Sequence, residues 1–411
     1  MKEMFSSRHK NQLFNSVKNL IGTFVYFFCQ WLVLIIVIHI AGYTVSGEFS
    51  LIISFTNLFG LVSRYNLRNF QLSDVECRFT QQQYTGAYIM TSGIAIVCFF
   101  ITLPFTGFNN NLLLCCIVYL LYKLCETLSM YIFTYMQQAD CFSNILISFC
   151  LKGLIPLLVF SVCLYLKQNL FISICAMALA YLSLIFLYDF NIIKDIFPKG
   201  IIIKGTKFIL KHCFPLMLSL LVLPFMLFFT RYTVENIYGT TELGYYSAMT
   251  MVIAVFSTLA NSVFVVILPV ISEKYMKKQK RDIIRIIFTI LGVIFAIAFA
   301  AILLVRLIGN MVFSFIFGVT ILPYMYLLLP AIITSTLLII MAFFSNCLIA
   351  MHKRISMLIS MLTGVIFLSS LIIPVTKSYG ILGNIILFSL SIGIIIVIQL
   401  IVISSNLHKF I

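Results

Sequence analysis

Runs of about 20 apolar residues recur along this sequence, and they restrict its fold more than any other feature. Hydrophobic residues occupy 62% of the 411 positions and charged residues only 9%, whereas an ordinary soluble domain is roughly 45–50% apolar. Runs of this length suit helices that cross a bilayer, because a membrane β-barrel would show alternating segments of about 10 residues. The sequence therefore predicts an all-α polytopic membrane protein.

The apolar runs predict twelve transmembrane helices joined by short linkers. The predicted spans cover residues 19–41, 47–67, 84–105, 112–137, 143–165, 170–189, 209–231, 244–271, 286–307, 321–350, 355–375 and 380–404. No linker is large enough to fold as a catalytic domain outside the membrane. Any activity must therefore reside in the membrane part.

Lys and Arg residues are distributed unevenly between the two sides of the predicted membrane. With the N-terminus in the cytoplasm, 21 of the 27 lie in cytoplasmic segments and four on the opposite side, while Lys123 and Lys152 lie inside spans. The positive-inside rule then predicts that both termini are cytoplasmic. Membrane anchoring explains the formal charge of +15, and no nucleic-acid partner is expected because no separate basic domain is present.

A short internal repeat divides the chain. The pattern G-x4-G-x-aromatic-Ser occurs at residues 42–50 and again at 239–247, each time between the first and second spans of a six-span half. Because each half has an even number of spans, the two repeats must be parallel, related by an axis along the membrane normal. We expect an N-terminal lobe at residues 1–200, containing spans 1–6, and a C-terminal lobe at residues 201–411, containing spans 7–12.

The fourth predicted span carries two ionisable residues in its middle, Lys123 and Glu126. Charged groups at the depth of hydrocarbon are costly, and by default they mark a polar path or cavity. Thr127, Thr134 and Gln137 fall on the same helical stripe. The alternative is a buried i,i+3 ion pair with a structural role.

Polar stripes in other spans indicate more helices that line a cavity. They include Gln30 in the first span, Asn57 and Arg64 in the second, and Lys152 in the fifth. Lys152 has no acid nearby in the sequence, which favours ligand binding unless Glu126 pairs with it across the two helices. Arg64 could be a cytoplasmic anchor, Arg231 could snorkel at the outer boundary, and the neutral groups could form interhelical hydrogen bonds. A cavity rich in Lys and Arg would attract an anionic group such as a diphosphate.

Sequence motifs for enzymes and metal sites are absent. The sequence has no phosphate-binding G-x4-G-K-[ST], no H-E-x-x-H and no G-x-S-x-G. The 12 cysteines form no C-x-x-C pair and have no metal-ligand spacing with His. We therefore expect no catalytic residue, no metal and no cofactor, and the protein is not predicted to be an enzyme.

Several local patterns resemble one transporter superfamily across nearly the whole chain. They are Thr230-Arg231-Tyr232, Gly244-Tyr245-Tyr246-Ser247, Leu268-Pro269 before a basic loop, and Phe315-Ile316-Phe317-Gly318. With its length and twelve spans, the chain resembles the multidrug/oligosaccharidyl-lipid/polysaccharide exporter superfamily. Within it, the chain looks like the polysaccharide-biosynthesis flippases.

This resemblance implies a V-shaped pair of six-helix lobes that works by alternating access in the bacterial inner membrane. The implied substrate is an undecaprenyl-diphosphate-linked oligosaccharide repeat unit for O-antigen or a similar surface polysaccharide. The cationic cavity of the family maps onto Lys123 and Lys152, with Arg64 and Arg231 as outer candidates and Glu126 as a candidate for ion coupling. Asn57 and Gln30 complete the predicted substrate-binding set. Membrane lipids, a polysaccharide polymerase and a chain-length regulator are the further candidate partners.

Two other functions stay open at this point. A cation-coupled exporter of drugs or metabolites would share the same architecture, but multidrug members usually place an acid in their first or seventh span. Both of those predicted spans lack one here. A membrane polysaccharide polymerase normally carries a large external loop, whereas the longest predicted outer loops are 232–243 and 308–320.

Overall fold

In a computed structural model the chain is helical almost throughout. The structure describes the backbone of residues 2–74, 78–194, 197–198 and 200–408. Side chains are described at residues 15, 17–72, 74, 78–194, 197–198, 200–253 and 270–407. The side chains of Leu268 and Pro269, which contribute to the sequence resemblance, lie outside the described residues.

The helices follow one another with short connections. They are α1 (Lys2–Arg64), α2 (Leu67–Ser73), α3 (Gln81–Thr102), α4 (Asn110–Gln138), α5 (Phe142–Lys167), α6 (Leu170–Leu184), α7 (Phe190–Ile193), α8 (Thr206–Met276), α9 (Lys280–Phe317), α10 (Leu328–Ala350) and α11 (Arg354–His408). Two 3₁₀ segments, Leu103–Thr106 and Val319–Leu327, precede α4 and α10, and a π-helical turn, Ile185–Asp189, joins α6 to α7.

Three of the helices are too long for one crossing of a bilayer. Nine helical stretches in the described chain are long and apolar enough to span a membrane, and the longest cover 56, 54 and 48 residues. At 1.5 Å per residue, each of these three is about 70–85 Å long, more than twice the hydrocarbon thickness. Each is broken at one glycine, Gly42, Gly239 or Gly380, whose backbone is not helical. The described residues therefore supply twelve spans, and the predicted all-α polytopic architecture is confirmed.

The connections within these pairs of spans differ from the sequence prediction. The sequence predicts an outer loop at residues 232–243, but α8 continues through them with only Gly239 outside helical geometry. Gly42 and Gly239 have nearly the same conformation, with φ of 83° and 86°. Only glycine adopts this positive φ without strain, so one residue suffices to redirect the chain while its neighbours keep their helical hydrogen bonds.

The chain divides into two compact units, and each unit contains two separate segments of the sequence. The N-terminal unit contains residues 1–42 and 52–217, and the C-terminal unit contains residues 43–51 and 218–411. The division near residue 217 lies beyond the predicted boundary at residue 200. It also assigns most of the first copy of the glycine repeat to the C-terminal unit.

Within the C-terminal unit, the two copies of the repeat contact each other through equivalent residues. The hydroxyl groups of Thr44 and Thr241 lie 2.8 Å apart. Ser247 donates to the Ser50 hydroxyl at 2.8 Å. Both pairs join positions that are 197 residues apart in sequence. The two helical segments thus cross with local two-fold symmetry.

The two helical segments approach so closely at this crossing that the second glycine position of each copy must be glycine. A Cβ atom on Gly47 would collide with the carbonyl oxygen of Thr240, and a Cβ atom on Gly244 would collide with that of Tyr43. Both obstacles are backbone atoms, which cannot move aside as a flexible side chain can. We name the contact between residues 43–50 and 240–247 the glycine crossing.

We predict that Gly47→Ala and Gly244→Ala each destabilise the protein by about 2 kcal/mol or more, because the added methyl groups overpack the glycine crossing. Thermal unfolding of the detergent-purified protein measures this. Gly93→Ala and Gly292→Ala are matched controls, since no atom lies within 4 Å of an added Cβ at either helical position. Equal melting temperatures for all four variants would contradict the steric argument.

Candidate functional site

The carboxylate of Glu126 is the centre of a buried polar cluster in the N-terminal unit. Arg64 Nη2 donates to Glu126 Oε2 at 2.7 Å, and Lys123 Nζ donates to the same oxygen at 3.0 Å. The hydroxyl of Tyr26 donates to Oε1. Lys123 and Glu126 share one face of α4 because they are three residues apart, while α1 supplies Tyr26 and Arg64 from its two segments. One carboxylate thus joins three helical segments.

Tyrosine rings and a glycine surround the ammonium group of Lys123. Its Nζ lies 5.3 Å from the ring centroid of Tyr119 and 5.4 Å from that of Tyr122, which are cation–π distances. Gln30 Nε2 donates to the Tyr122 hydroxyl at 2.6 Å. Gly60 lets α1 approach the Lys123 stem, since an added Cβ would lie 3.4 Å from the Lys123 Cβ. The predicted residues Gln30, Arg64, Lys123 and Glu126 therefore come together.

Positive charge exceeds negative charge in this region. Arg68 lies on α2, just beyond the turn at Tyr65 and Asn66 that ends α1, and donates to the Gln137 side chain of α4 at 3.0 Å. Among the described residues Arg68 makes no ion pair, so Arg64, Arg68, Lys123 and Glu126 together carry a formal charge of +2. We name these four residues the cationic cluster. The Arg64 side chain is 34% exposed, whereas the side chains of Lys123 and Glu126 are 9% and 4% exposed, so Arg64 is far more accessible than this buried pair.

Lys152 belongs to a second, separate cluster. Its Nζ donates to Asp189 Oδ2 and to the Ser129 hydroxyl, and Ser148 donates to Asp189 Oδ1 at 2.6 Å. Both charged side chains are almost completely buried, at 1% and 0% exposure. The sequence offers Glu126 as the candidate partner of Lys152, whereas the partner in the structure is Asp189. This pair is formally neutral and closed to solvent.

Sequence reasoning missed Asp189 and Ser129. Asp189 ends the apolar run 170–189, which predicts only a span boundary there, although it is the only acid in that run. In the structure it closes the π-helical turn Ile185–Asp189. A wide turn shifts the residues after it around the helix axis, and such turns often occur at functional sites. The isolated acid at the end of an apolar run is the sequence signal that could have identified Asp189 as a candidate site residue.

The other two predicted site residues are placed differently. Asn57 is half-buried on α1, on the same face as Gly60 and Arg64, and it hydrogen-bonds to no described side chain. Arg231 is half-buried on α8 in the C-terminal unit and forms no ion pair among the described residues. The buried charged side chains that the structure describes all lie in the N-terminal unit, namely Lys123, Glu126, Lys152 and Asp189.

The described residues also show what the clusters do not contain. No group of three or more His, Cys, Asp or Glu side chains in the described part of the chain could hold a metal ion. The chemistry that the two clusters offer is charge pairing and hydrogen bonding by Arg, Lys, carboxylate and hydroxyl groups.

Comparisons with known proteins identify the fold. No family model matches the sequence, and no curated protein matches it either. Among solved structures, a multidrug resistance MATE family transporter of the MOP superfamily superposes with a TM-score of 0.65 at 12% identity, over 96% of this chain and 98% of that one. A mutant of the Vibrio cholerae MATE transporter VcmN gives 0.65 at 14% identity, over 98% and 97%.

A third structural neighbour is a MOP superfamily transporter from Pyrococcus furiosus, with a TM-score of 0.63 and 14% identity over 98% of this chain and 96% of that one. All three comparisons cover nearly the full length of both chains. The protein therefore shares its all-helical fold with these transporters.

We predict that Lys152→Met or Asp189→Leu alone lowers the free energy of unfolding by about 3–5 kcal/mol, because each leaves one buried charge without a partner. The double variant should regain most of this loss, since no unpaired charge remains. Unfolding of the purified protein in detergent measures all three. Lys167→Met, an exposed cation at the end of the same helix, should have little effect, and a double variant no more stable than the single ones would disprove the pairing.

Proposed function

We propose that the protein is an alternating-access exporter of anionic lipid-linked oligosaccharides, specifically undecaprenyl-diphosphate-linked repeat units of an O-antigen or a similar surface polysaccharide. The +2 charge of the cationic cluster, with Arg64 accessible, is the observation that carries this proposal. The transporter fold supports the general activity. The sequence resemblance supports the substrate.

The charge argument starts from the cost of unpaired ions in a medium of low dielectric constant. Glu126 neutralises one of the three nearby cations, and no other described acid forms an ion pair with them. An excess of positive charge inside a membrane protein is stabilised when an anion enters. A diphosphate suits this need, because Arg donates two parallel hydrogen bonds to phosphate oxygens.

The members of the cationic cluster have distinct roles in this proposal. Arg64 contacts the diphosphate, and Arg68 and Lys123 add long-range attraction. Glu126 couples transport to an ion, because its protonation would release Arg64 and Lys123 for the substrate.

The remaining predicted site residues act around the cluster. Gln30 and Asn57 offer hydrogen bonds to sugar hydroxyl groups, and Arg231 supplies a cation in the C-terminal unit. Lys152, neutralised by Asp189, holds the helices in place and reaches the substrate only indirectly.

The proposed membrane location and orientation rest on the distribution of Lys and Arg and on the sequence resemblance to the polysaccharide flippases. We place the protein in the bacterial inner membrane with both termini in the cytoplasm. The membrane lipids surround it there, and a polysaccharide polymerase and a chain-length regulator would act on the exported units.

The structural neighbours favour a second candidate function, multidrug export. The first two are MATE transporters, and one is described as a multidrug resistance transporter, so the fold comparisons fit this function better than oligosaccharide transport. In this case Glu126 would bind a cation instead of pairing with Arg64. For the Pyrococcus furiosus transporter, however, a reversed polarity of the binding pocket suggests a different function, and the positive excess here supports a similar departure.

Deletion of the gene separates the two candidates. We expect the deletion strain to lose surface polysaccharide, to accumulate a polyprenyl-diphosphate oligosaccharide on the cytoplasmic side of the membrane, and to keep its resistance to cationic drugs. Mass spectrometry of extracted lipids and growth inhibition assays measure these outcomes. Increased drug sensitivity with normal polysaccharide would establish the second candidate instead.

Substitution within the cationic cluster tests the site itself. We expect Arg64→Gln to reduce surface polysaccharide about tenfold or more at unchanged protein level in the membrane, because it removes a charged hydrogen-bond donor. Arg64→Lys should retain part of the activity, since it keeps the charge but loses the two-pronged geometry. Arg306→Gln, at an exposed cation on α9, is the control. Full activity of Arg64→Gln would remove Arg64 from the site.

A further inference from the structure

The C-terminal unit contains a cavity that the transport mechanism does not use. It has a volume of about 230 Å³ and lies between α8 and α11. The lining residues are Phe229, Tyr232, Thr233, Asn236, Ile237, Ile373 and Lys377. None of these described lining residues is acidic, so the Lys377 ammonium group gives the cavity a net positive charge.

Hydrogen bonds within α11 and between α8 and α11 lie beside the cavity. The Tyr238 hydroxyl donates to the Thr376 carbonyl oxygen at 3.0 Å. Asn384 donates to the Thr376 hydroxyl at 3.0 Å and to the Thr230 carbonyl oxygen at 3.4 Å. These contacts involve the residues next to the lining positions on both helices. The two helices that line the cavity are therefore joined directly beside it.

Phe229 and Ile373 lie toward one end of the lining, and Asn236 and Lys377 lie toward the other end, where Ile237 adjoins Asn236. On α8, Phe229 precedes Asn236 by about 10 Å along the helix axis, and on α11, Ile373 precedes Lys377 by about 6 Å. Both helical segments run in the same predicted direction, toward the outer side. The apolar end thus falls within the predicted spans 209–231 and 355–375, while the polar end falls just beyond their outer limits.

We infer that this cavity binds an anionic glycerophospholipid of the outer leaflet, with the phosphate at Lys377 and the start of an acyl chain against Phe229 and Ile373. A glycerophospholipid has the same order of groups, an anionic phosphate at the water boundary followed by hydrocarbon. Lys377 and Asn236 are exposed and hydrogen-bond to no described side chain, so their donors are available to phosphate oxygens. A free phosphate would use only the polar end.

Charge selects among lipids at this cavity. A single unpaired ammonium group adds attraction for a headgroup with a net negative charge, such as phosphatidylglycerol. A zwitterionic headgroup such as that of phosphatidylcholine carries its own cation and gains less. The expected preference is about fivefold, which corresponds to one lysine near an anionic membrane surface.

Native mass spectrometry of the purified full-length protein tests this inference, with dioleoyl-phosphatidylglycerol and dioleoyl-phosphatidylcholine as probes. We expect the wild type to retain phosphatidylglycerol preferentially and Lys377→Gln to lose about fivefold in its retention, while Lys377→Arg keeps it. Arg306→Gln removes another exposed cation on the predicted outer side and serves as the matched control. Ile373→Ser should weaken retention of the lipid as well, because it removes apolar contact with the acyl chain.

Three results would overturn the inference. The first is equal retention of both lipids by the wild type. The second is an effect of Arg306→Gln as large as that of Lys377→Gln. The third is displacement of the lipid by an equal concentration of inorganic phosphate, which would show that the cavity recognises phosphate alone. None of these outcomes depends on the substrate that the protein exports.

Discussion

The packing of the N-terminal unit depends on the cost of an unpaired charge in hydrocarbon. No water reaches the middle of a bilayer to solvate an ion, so a charged side chain there must find its partner within the protein. Two carboxylates provide that partner. Glu126 joins α4 to both segments of α1 through Arg64 and Tyr26, and Asp189 joins the π-helical turn to α5 through Lys152 and Ser148.

The two carboxylates differ in how completely they neutralise the cations around them. Asp189 meets one cation, and the result is neutral and fully enclosed. Glu126 pairs with two cations, Lys123 and Arg64, and cannot neutralise both, and Arg64 is still partly exposed. A neutral buried pair has no free charge for a ligand, whereas an exposed positive excess does. The cationic cluster therefore keeps a positive charge that no described acid neutralises, and this excess underlies the proposed binding of an anion.

Features encoded by nearby residues could be predicted from the sequence. The apolar runs located the spans, and the three-residue spacing of Lys123 and Glu126 placed them on one helical face. The pair of Lys152 with Asp189 could not be predicted, because 37 residues separate them and a π-helical turn sets the direction of Asp189. The repeat located equivalent glycines, but symmetry of sequence does not say that the two copies touch. The contact of Gly47 with the other copy depends on the tertiary structure, which the local sequence does not reveal.

The two compact units differ in the chemistry of their buried side chains. Every buried charged side chain in the described part of the chain lies in the N-terminal unit. In the C-terminal unit, buried helix contacts use neutral groups such as Tyr246 with Asn384 and Gln399 with Ser345. Neutral hydrogen bonds cost less to bury and respond little to an approaching ion. The packing of the N-terminal unit therefore includes buried ion pairs, whereas the glycine crossing and neutral hydrogen bonds hold the helices of the C-terminal unit together.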